Sequence, residues 1–188
     1  MRDFSASLKR VPVRDLRGRL ARAVPITSLV PQGQPAHPNY LFTSGRQNRY
    51  NLAGTHCLYM SAEESTALDE FRRQFSGLKA AFQPVSLYHA EVDLARVLDL
   101  TDEATRKILG VSLKELEADW GGGLPSSLSQ QLGEAARTCG FMAIRYQSVG
   151  ATLAGRDGSN LVIYKSTVVA PSSVCIISDR DATSQRWP

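Results

Sequence analysis

Apolar residues along the chain occur in short runs separated by polar segments, a pattern typical of a domain with several buried strands. Most runs have the length of one strand, and residues 85–94 alternate for several positions between apolar and polar, as expected where only one strand face is buried. No internal repeat is present. The segments with strand-like patterns are 40–42, 57–60, 85–94, 141–146, 161–164 and 174–177.

Helix-capping signals lie between these strand-like segments. A serine followed three residues later by glutamate or glutamine forms a capping box, in which each side chain pairs with a free backbone N–H of the other residue. The three boxes are Ser61 with Glu64, Ser112 with Glu115 and Ser127 with Gln130. They predict helices ending near residues 75, 120 and 138, and a further short helix is expected between Asp102 and Gly110.

The order of these elements determines the expected fold class. Strands and helices do not alternate strictly, and no GxGxxG fingerprint of a dinucleotide-binding Rossmann domain occurs. At 188 residues the chain has the length of one domain. We therefore predict a single α+β domain, with small mixed or antiparallel sheets and flanking helices.

Positive charge is concentrated near the N-terminus. The formal net charge is +4, and much of the excess lies in the first 22 residues. Such a cluster is compatible with a nucleic acid or an acidic partner, but it lacks interleaved aromatic residues. We therefore expect a solvated amphipathic helix or arm there, and no direct nucleic-acid binding.

Composition narrows the function classes further. The apolar runs are too short to span a bilayer, and no secretory signal is visible at the N-terminus, so a cytoplasmic protein without membrane association is expected. The three cysteines and three histidines lack metal-ligand spacing. Neither a metal nor a bound cofactor is expected.

Four polar residues beside the apolar segments are candidates for chemistry: Arg49, Tyr59, Glu70 and Ser148. Each also has a structural interpretation. Arg49 lies in a polar loop, Tyr59 in an apolar run typical of a core, and Ser148 at the start of a loop. On a helical wheel Glu70 lies opposite the apolar residues of its helix, which is typical of a solvated face.

A family resemblance favours the chemical interpretation of these four residues over the structural one. The chain resembles RES-domain proteins, which are named for an arginine, a glutamate and a serine. The resemblance extends over about residues 20–178, with residues 1–19 as a basic N-terminal segment and 179–188 as a C-terminal tail. The segments that carry it, in order, are Arg49-Tyr50-Asn51-x-x-Gly54, Cys57-Leu58-Tyr59-Met60-Ser61, Ala67-Leu68-x-Glu70, Val92-Asp93-Leu94 with residues 97–102, Gln131-Leu132-Gly133, Ser148 and Asn160-Leu161-Val162-Ile163-Tyr164.

The resemblance implies a function as well as a fold. Family members are bacterial toxins encoded beside an antitoxin with an Xre-type helix-turn-helix domain, and their fold is similar to ADP-ribosyltransferase toxins. They degrade NAD⁺, and some transfer ADP-ribose to a protein. The expectation is therefore an NAD⁺ glycohydrolase toxin with NAD⁺ as its substrate. The alternatives are a protein ADP-ribosyltransferase acting on an acceptor protein, and a non-catalytic module that binds nucleic acid or a partner.

The resemblance also implies residue roles. Glu70 is expected to stabilise positive charge that develops on the ribose, as carboxylates do in glycosidases. Arg49 is expected to bind the diphosphate through its guanidinium fork. Ser148 is expected to hydrogen-bond the ribose or the amide of the substrate.

Other residues are expected to assist in binding NAD⁺. Arg22 supports the diphosphate, Tyr50 or Tyr59 stacks on nicotinamide, and Asn160 contributes to the same binding site. Many family members have glycine directly before the motif arginine, whereas Asn48 precedes Arg49 here. Arg46 is therefore a rival for the role of Arg49, and Arg22 either shares or replaces that role.

Overall fold

The computed structural model describes residues 2–25, 45–75, 84–118, 126–177 and 184–188. All structural statements below concern this part of the chain. The predicted strand at 40–42 lies outside it, as does the expected helix end near residue 120. The elements in chain order are α1 (Ser5–Leu8), β1 (Arg14–Pro25), β2 (Cys57–Ser61), α2 (Glu64–Phe75), β3 (Val85–Asp99), α3 (Glu103–Leu109), α4 (Leu113–Glu117), α5 (Leu128–Thr138), β4 (Ala143–Gln147), α6 (Val149–Leu153), β5 (Ser159–Tyr164), β6 (Ser173–Ile177) and β7 (Ser184–Trp187).

The strands of the described residues form one seven-stranded sheet in the order β1-β2-β5-β4-β3-β6-β7. All neighbouring pairs are antiparallel except β3 and β4. Because β1 also pairs with β3, the strands β1, β2, β5, β4 and β3 form a closed circuit. The α+β prediction is confirmed, although the strands build one mixed sheet rather than several small ones.

The long strand β3 connects the two parts of this sheet. Its first part pairs with β1 on one side and β6 on the other, whereas residues 97–99 pair with β4. The sequence predicted only residues 85–94, because the exposed Ala95 and Arg96 interrupt the alternation there. The change of partner strand along β3 accounts for the change of pattern.

The basic N-terminal segment contains a strand rather than a solvated helix or arm, so that expectation was wrong. Residues of β1 pair with β3 along almost their whole length. Arg17 lies opposite Asp93 and binds it at 3.0 Å, and Arg19 lies opposite Glu91. Two of the basic residues thus lie opposite acidic residues far along the chain, which no local pattern reveals.

At the other end of the chain, β7 pairs with β6.

Two apolar cores lie on opposite faces of the central strands, because successive side chains of a strand point to opposite faces. In β2, Cys57 and Tyr59 face a core that α1, α3, α4 and α5 cover, whereas Leu58 and Met60 face a core formed mainly by strand residues. The first of these cores borders the candidate site described below.

Two of the three predicted capping boxes are present, at Ser112 and Ser127. The box predicted at Ser61 is not formed. Ser61 is the last residue of β2, its hydroxyl donates to Asn160 Oδ1 at 2.8 Å, and α2 begins at Glu64. Among the described residues, no helix is long and apolar enough to cross a membrane.

Candidate active site

The carboxylate of Glu70 lies at the centre of a hydrogen-bonded cluster. Its Oε1 accepts from Ser148 Oγ at 2.7 Å, from the Gly150 amide at 3.1 Å and from Asn160 Nδ2 at 2.9 Å. Its Oε2 accepts from Arg73 Nε at 2.9 Å. The Glu70 side chain is 21% exposed. Three of the predicted site residues, Glu70, Ser148 and Asn160, are therefore in direct contact.

Ser148 joins β4 to a short helix that the sequence did not predict. Residues after 147 were expected to form a loop, but Val149–Leu153 is the helix α6 with Ser148 as its N-cap. The Ser148 hydroxyl accepts from the Ala151 amide at 3.1 Å and donates to Glu70. Because Ser148 is fully buried, its hydroxyl orients the carboxylate and the helix.

Helix α6 packs closely against α2, which explains why the Glu70 side chain is mostly shielded from solvent. A Cβ atom on Gly150 would lie 2.8 Å from the Glu70 backbone nitrogen, so this approach requires glycine. Next to Glu70, the buried Asp69 forms ion pairs with Arg156, in the loop after α6, and with Arg72. Helical periodicity alone favours a solvated face at Glu70, but a second helix covers part of this face.

Asn160 connects the carboxylate to the sheet. It lies on β5 next to Ser61 of β2 and Tyr146 of β4 in the strand register. While its Nδ2 donates to Glu70, its Oδ1 accepts from Ser61. Both Asn160 and Ser61 are buried, so the amide is held within the protein.

The surroundings of Glu70 favour its ionised form. Burial acts to raise the pKa of the carboxyl, but hydrogen bonds from Ser148 and Gly150, followed by the hydrogen bond and positive charge of Arg73, outweigh it. The pKa of Glu70 is therefore lowered from its ordinary value. A carboxylate that stays charged and fixed in orientation is suited to stabilising a positive charge beside it.

Replacing Arg73 tests this electrostatic balance. Arg73→Gln removes the positive charge beside Glu70, so the pKa of Glu70 should rise and activity that needs the carboxylate should be lost at a higher pH. The pH dependence of kcat/KM should therefore show an acid limb displaced upward relative to the wild type. Arg72→Gln, which removes the neighbouring arginine paired with Asp69, is the matched control and should leave the limb in place. If the acid limb lies at the same pH in Arg73→Gln and Arg72→Gln, Arg73 does not lower the pKa of Glu70 as assigned here.

The loop that carries Arg49 is fixed by hydrogen bonds to three elements. Tyr59 Oη of β2 accepts from the Tyr50 amide at 3.1 Å and donates to Asn51 Oδ1 at 2.8 Å. Tyr164 Oη of β5 donates to the Tyr50 carbonyl at 3.0 Å, and Gln130 of α5 donates to the Asn48 carbonyl at 2.9 Å. The Arg49 backbone is therefore held in one conformation.

Close packing of α5 supports the same loop. A Cβ on Gly133 would lie 2.1 Å from the Tyr50 carbonyl oxygen, so only glycine permits this contact. Tyr50 itself is 1% exposed. Its ring packs against Tyr146, with ring centroids 4.6 Å apart. Tyr50 is thus a core residue, whereas Tyr59 is half-buried.

A recess beside this loop contains the predicted arginine. We call it the Arg49 recess; its lining residues are Arg49, Tyr50, Leu100, Leu113, Leu116, Glu117, Tyr146 and Gln147. Tyr146 links the recess to the Glu70 cluster. Burial raises the pKa of Tyr146, Tyr50 and Glu70 act in the same direction, and Arg49 opposes them. Glu70 and Arg49 therefore both lie within electrostatic reach of one tyrosine.

The two other arginines considered in the sequence have different surroundings. Arg46 is exposed, and its backbone carbonyl accepts from Asn51. Arg22 of β1 is half-buried. Burial lowers the pKa of the Arg22 guanidinium, whereas the proximity of Tyr59 raises it. Arg22 thus lies near the tyrosine that anchors the Arg49 loop.

The sequence did not predict three side chains of this site, those of Arg73, Ser61 and Tyr146, nor the backbone amide of Gly150. The spacing of Glu70 and Arg73 on one helix was a usable signal, since residues three apart are neighbours on a helix surface. Ser61 carried a misleading signal because its spacing to Glu64 matches a capping box. Tyr146 had no signal beyond that of a core aromatic residue. Among the described residues, no group of three side chains suited to holding a metal ion occurs.

Comparisons with known proteins agree with the sheet and helices described above. A family model described as RES domain matches residues 19–185. Among solved structures, the chain is similar to one in the crystal structure of the M. tuberculosis MbcT–MbcA toxin–antitoxin complex. The identity is 16%, the TM-score is 0.59, and the match covers 99% of this chain and 90% of that chain. At this identity the likeness shows a shared fold. No curated protein matches significantly.

Proposed function

The chain belongs to the RES-domain family, and we propose on this premise that it is a toxin that cleaves the nicotinamide–ribose bond of NAD⁺. The observation that carries the proposal is the Glu70 carboxylate, which four donors hold ionised in the middle of α2 while its side chain stays 21% exposed. A buried cluster with one partly exposed carboxylate suits a reaction that develops positive charge.

The proposed reaction requires only one carboxylate and water. As the bond from ribose C1′ to the nicotinamide nitrogen breaks, its electron pair moves to nicotinamide, which leaves as a neutral molecule. The ribose becomes oxocarbenium-like, and the negative charge of Glu70 stabilises it. A water then bonds to C1′ and releases a proton, which gives ADP-ribose. Each atom of NAD⁺ and water is accounted for in the two products and the proton.

Arg49, which lines the Arg49 recess, is proposed to bind the diphosphate of the substrate. A guanidinium fork matches the oxygens of a diphosphate, and the fixed backbone of Arg49 lowers the cost of ordering it on binding. We assign Arg22 a supporting role on the same group. Since Tyr50 is buried, Tyr59 is the better candidate for contact with nicotinamide, although its hydroxyl also holds the loop.

We revise the roles that the sequence predicted for Ser148 and Asn160. The sequence assigned both to the substrate, but both are buried and donate to Glu70. We propose that they act on NAD⁺ through the carboxylate, by keeping it in one orientation. Pre-organisation of this kind removes the need to reorient the charged group during the reaction.

Incubating the purified protein with NAD⁺ labelled in its adenylate half tests the proposal. Release of labelled ADP-ribose together with nicotinamide is the expected result. Label bound covalently to a protein would instead support ADP-ribosyl transfer. Intact NAD⁺ together with steeply salt-dependent nucleic-acid binding would support the non-catalytic alternative. Intact NAD⁺ without such binding would also overturn the enzymatic proposal.

The proposed biological partner is an antitoxin with an Xre-type helix-turn-helix domain. The similar solved chain comes from a toxin–antitoxin complex, and the family resemblance implies this type of antitoxin. Depletion of cellular NAD⁺ also implies action in the cytoplasm. Induced expression should lower cellular NAD⁺ and growth, and co-expression of the neighbouring antitoxin gene should restore both. Loss of growth without loss of NAD⁺ would contradict this role.

A further inference from the structure

Ser61 forms the outer end of a buried chain of hydrogen bonds that reaches the candidate carboxylate. Its hydroxyl donates to Asn160 Oδ1 at 2.8 Å, and Asn160 Nδ2 donates to Glu70 Oε1 at 2.9 Å. Ser61 and Asn160 are 5% and 6% exposed. Ser61 is therefore shielded from solvent, and its hydroxyl is connected to Glu70 through Asn160.

We propose that Ser61 is a positioning residue, which holds the Asn160 amide with its NH₂ group directed at the Glu70 carboxylate. This inference rests on the proposed function, since it assigns Glu70 the central role in NAD⁺ cleavage. It concerns a residue outside the arginine, glutamate and serine for which the family is named.

The direction of the hydrogen bonds supports this role. The ionised Glu70 can only accept hydrogen bonds, so the Asn160 NH₂ group must face it and the Asn160 oxygen must face Ser61. The hydroxyl then donates to that oxygen, and each bond in such a chain polarises the next. Without Ser61 the buried Asn160 oxygen loses this donor, and an amide rotation that regains a partner moves the NH₂ group away from Glu70.

In the part of the chain that the structure describes, the Ser61 hydroxyl has no other structural role. Helix α2 begins at Glu64, and no capping bond from Ser61 to it is formed. The backbone of Ser61 pairs with β5 and with Ala21 of β1, neither of which requires a hydroxyl. Among the described residues, the only buried side-chain nitrogen or oxygen without a partner is His89 Nδ1, so each buried side-chain nitrogen and oxygen between Ser61 and Glu70 has at least one partner.

A double-mutant cycle tests whether Ser61 acts through Asn160. Ser61→Ala should lower kcat for NAD⁺ cleavage about tenfold, the scale of one lost buried hydrogen bond, with little change in KM. In an Asn160→Ala background the same substitution should have almost no effect. Ser61→Thr, which keeps the hydroxyl, should retain most of the activity. Equal losses from Ser61→Ala in both backgrounds would overturn the proposal.

A second measurement separates this inference from the proposed function. The side-chain amide resonances of Asn160 should shift in Ser61→Ala and stay near their wild-type positions in Ser61→Thr, whether or not the protein turns over NAD⁺. Unchanged resonances in Ser61→Ala would overturn the inference alone. An inactive wild-type protein with the expected shifts would overturn only the proposed function. Should Ser61→Ala not fold, strongly shifted amide resonances or lost activity in Ser61→Thr would contradict the role.

Discussion

Glu70→Gln is expected to lower NAD⁺ turnover at least about 10²-fold, the scale of removing one electrostatic stabiliser from an active site. Glutamine has nearly the same shape, and its amide oxygen can still accept from Ser148, Gly150 and Asn160. The negative charge, however, is lost, and the amide NH₂ group then faces Arg73. Steady-state kinetics on NAD⁺ should show the loss mainly in kcat, because the charge matters most when the ribose becomes cationic.

The matched control for this substitution lies about two helix turns away. Glu63 precedes α2 and is exposed, and it accepts a hydrogen bond from Thr66 that a glutamine oxygen can also accept. Glu63→Gln should leave turnover near the wild-type value. Thermal unfolding should show that both variants are folded. A folded Glu70→Gln protein with undiminished turnover would remove Glu70 from the mechanism.

Arg49→Ala is expected to lower kcat/KM for NAD⁺ about 10²-fold, since the diphosphate would lose a charge-assisted, bidentate partner. Much of the loss should appear as a higher KM if the guanidinium binds substrate and transition state alike. The backbone of the loop should stay in place, because its anchors are Tyr59, Tyr164 and Gln130 rather than the Arg49 side chain.

Arg46→Ala is the control that also tests the rival assignment. Arg46 lies in the same loop but is exposed, and only its backbone carbonyl is used in the loop structure. It should retain kcat/KM close to the wild type. The reverse result, with a large loss in Arg46→Ala and a small one in Arg49→Ala, would transfer the role to Arg46. Arg22→Ala measured beside them would show whether β1 contributes.

Local signals predicted much of the secondary structure. The apolar run at 57–60 is a buried strand, and the capping boxes at Ser112 and Ser127 start α4 and α5. Asp102 caps α3, and Gly110 ends it with a positive φ of 65°. These features depend on residues within one turn or one strand of each other, so local sequence patterns are enough to predict them.

Predictions from local sequence patterns were wrong where a side chain or strand pairs with residues far along the chain. The spacing from Ser61 to Glu64 fits a helix cap, but the Ser61 hydroxyl pairs with Asn160, which is 99 positions away. The basic N-terminal residues predict a solvated helix or arm, but β1 pairs with β3, where Asp93 lies opposite Arg17 and Glu91 opposite Arg19. In both cases a long-range contact replaces the local one that the pattern suggested.

In the candidate site, too, some features follow from the sequence alone and others only from the tertiary structure. The residue types of the site, and their order along the chain, were determined by the sequence: a carboxylate on the helix after the first apolar strand of the motif, an arginine before that strand, and a serine after 141–146. Only the tertiary structure decided that Glu70 is shielded by α6 and held by Ser148, Gly150 and Asn160. The physical reason is that burial and charge depend on groups 78 to 90 positions apart in the chain, and helical periodicity carries no information about them.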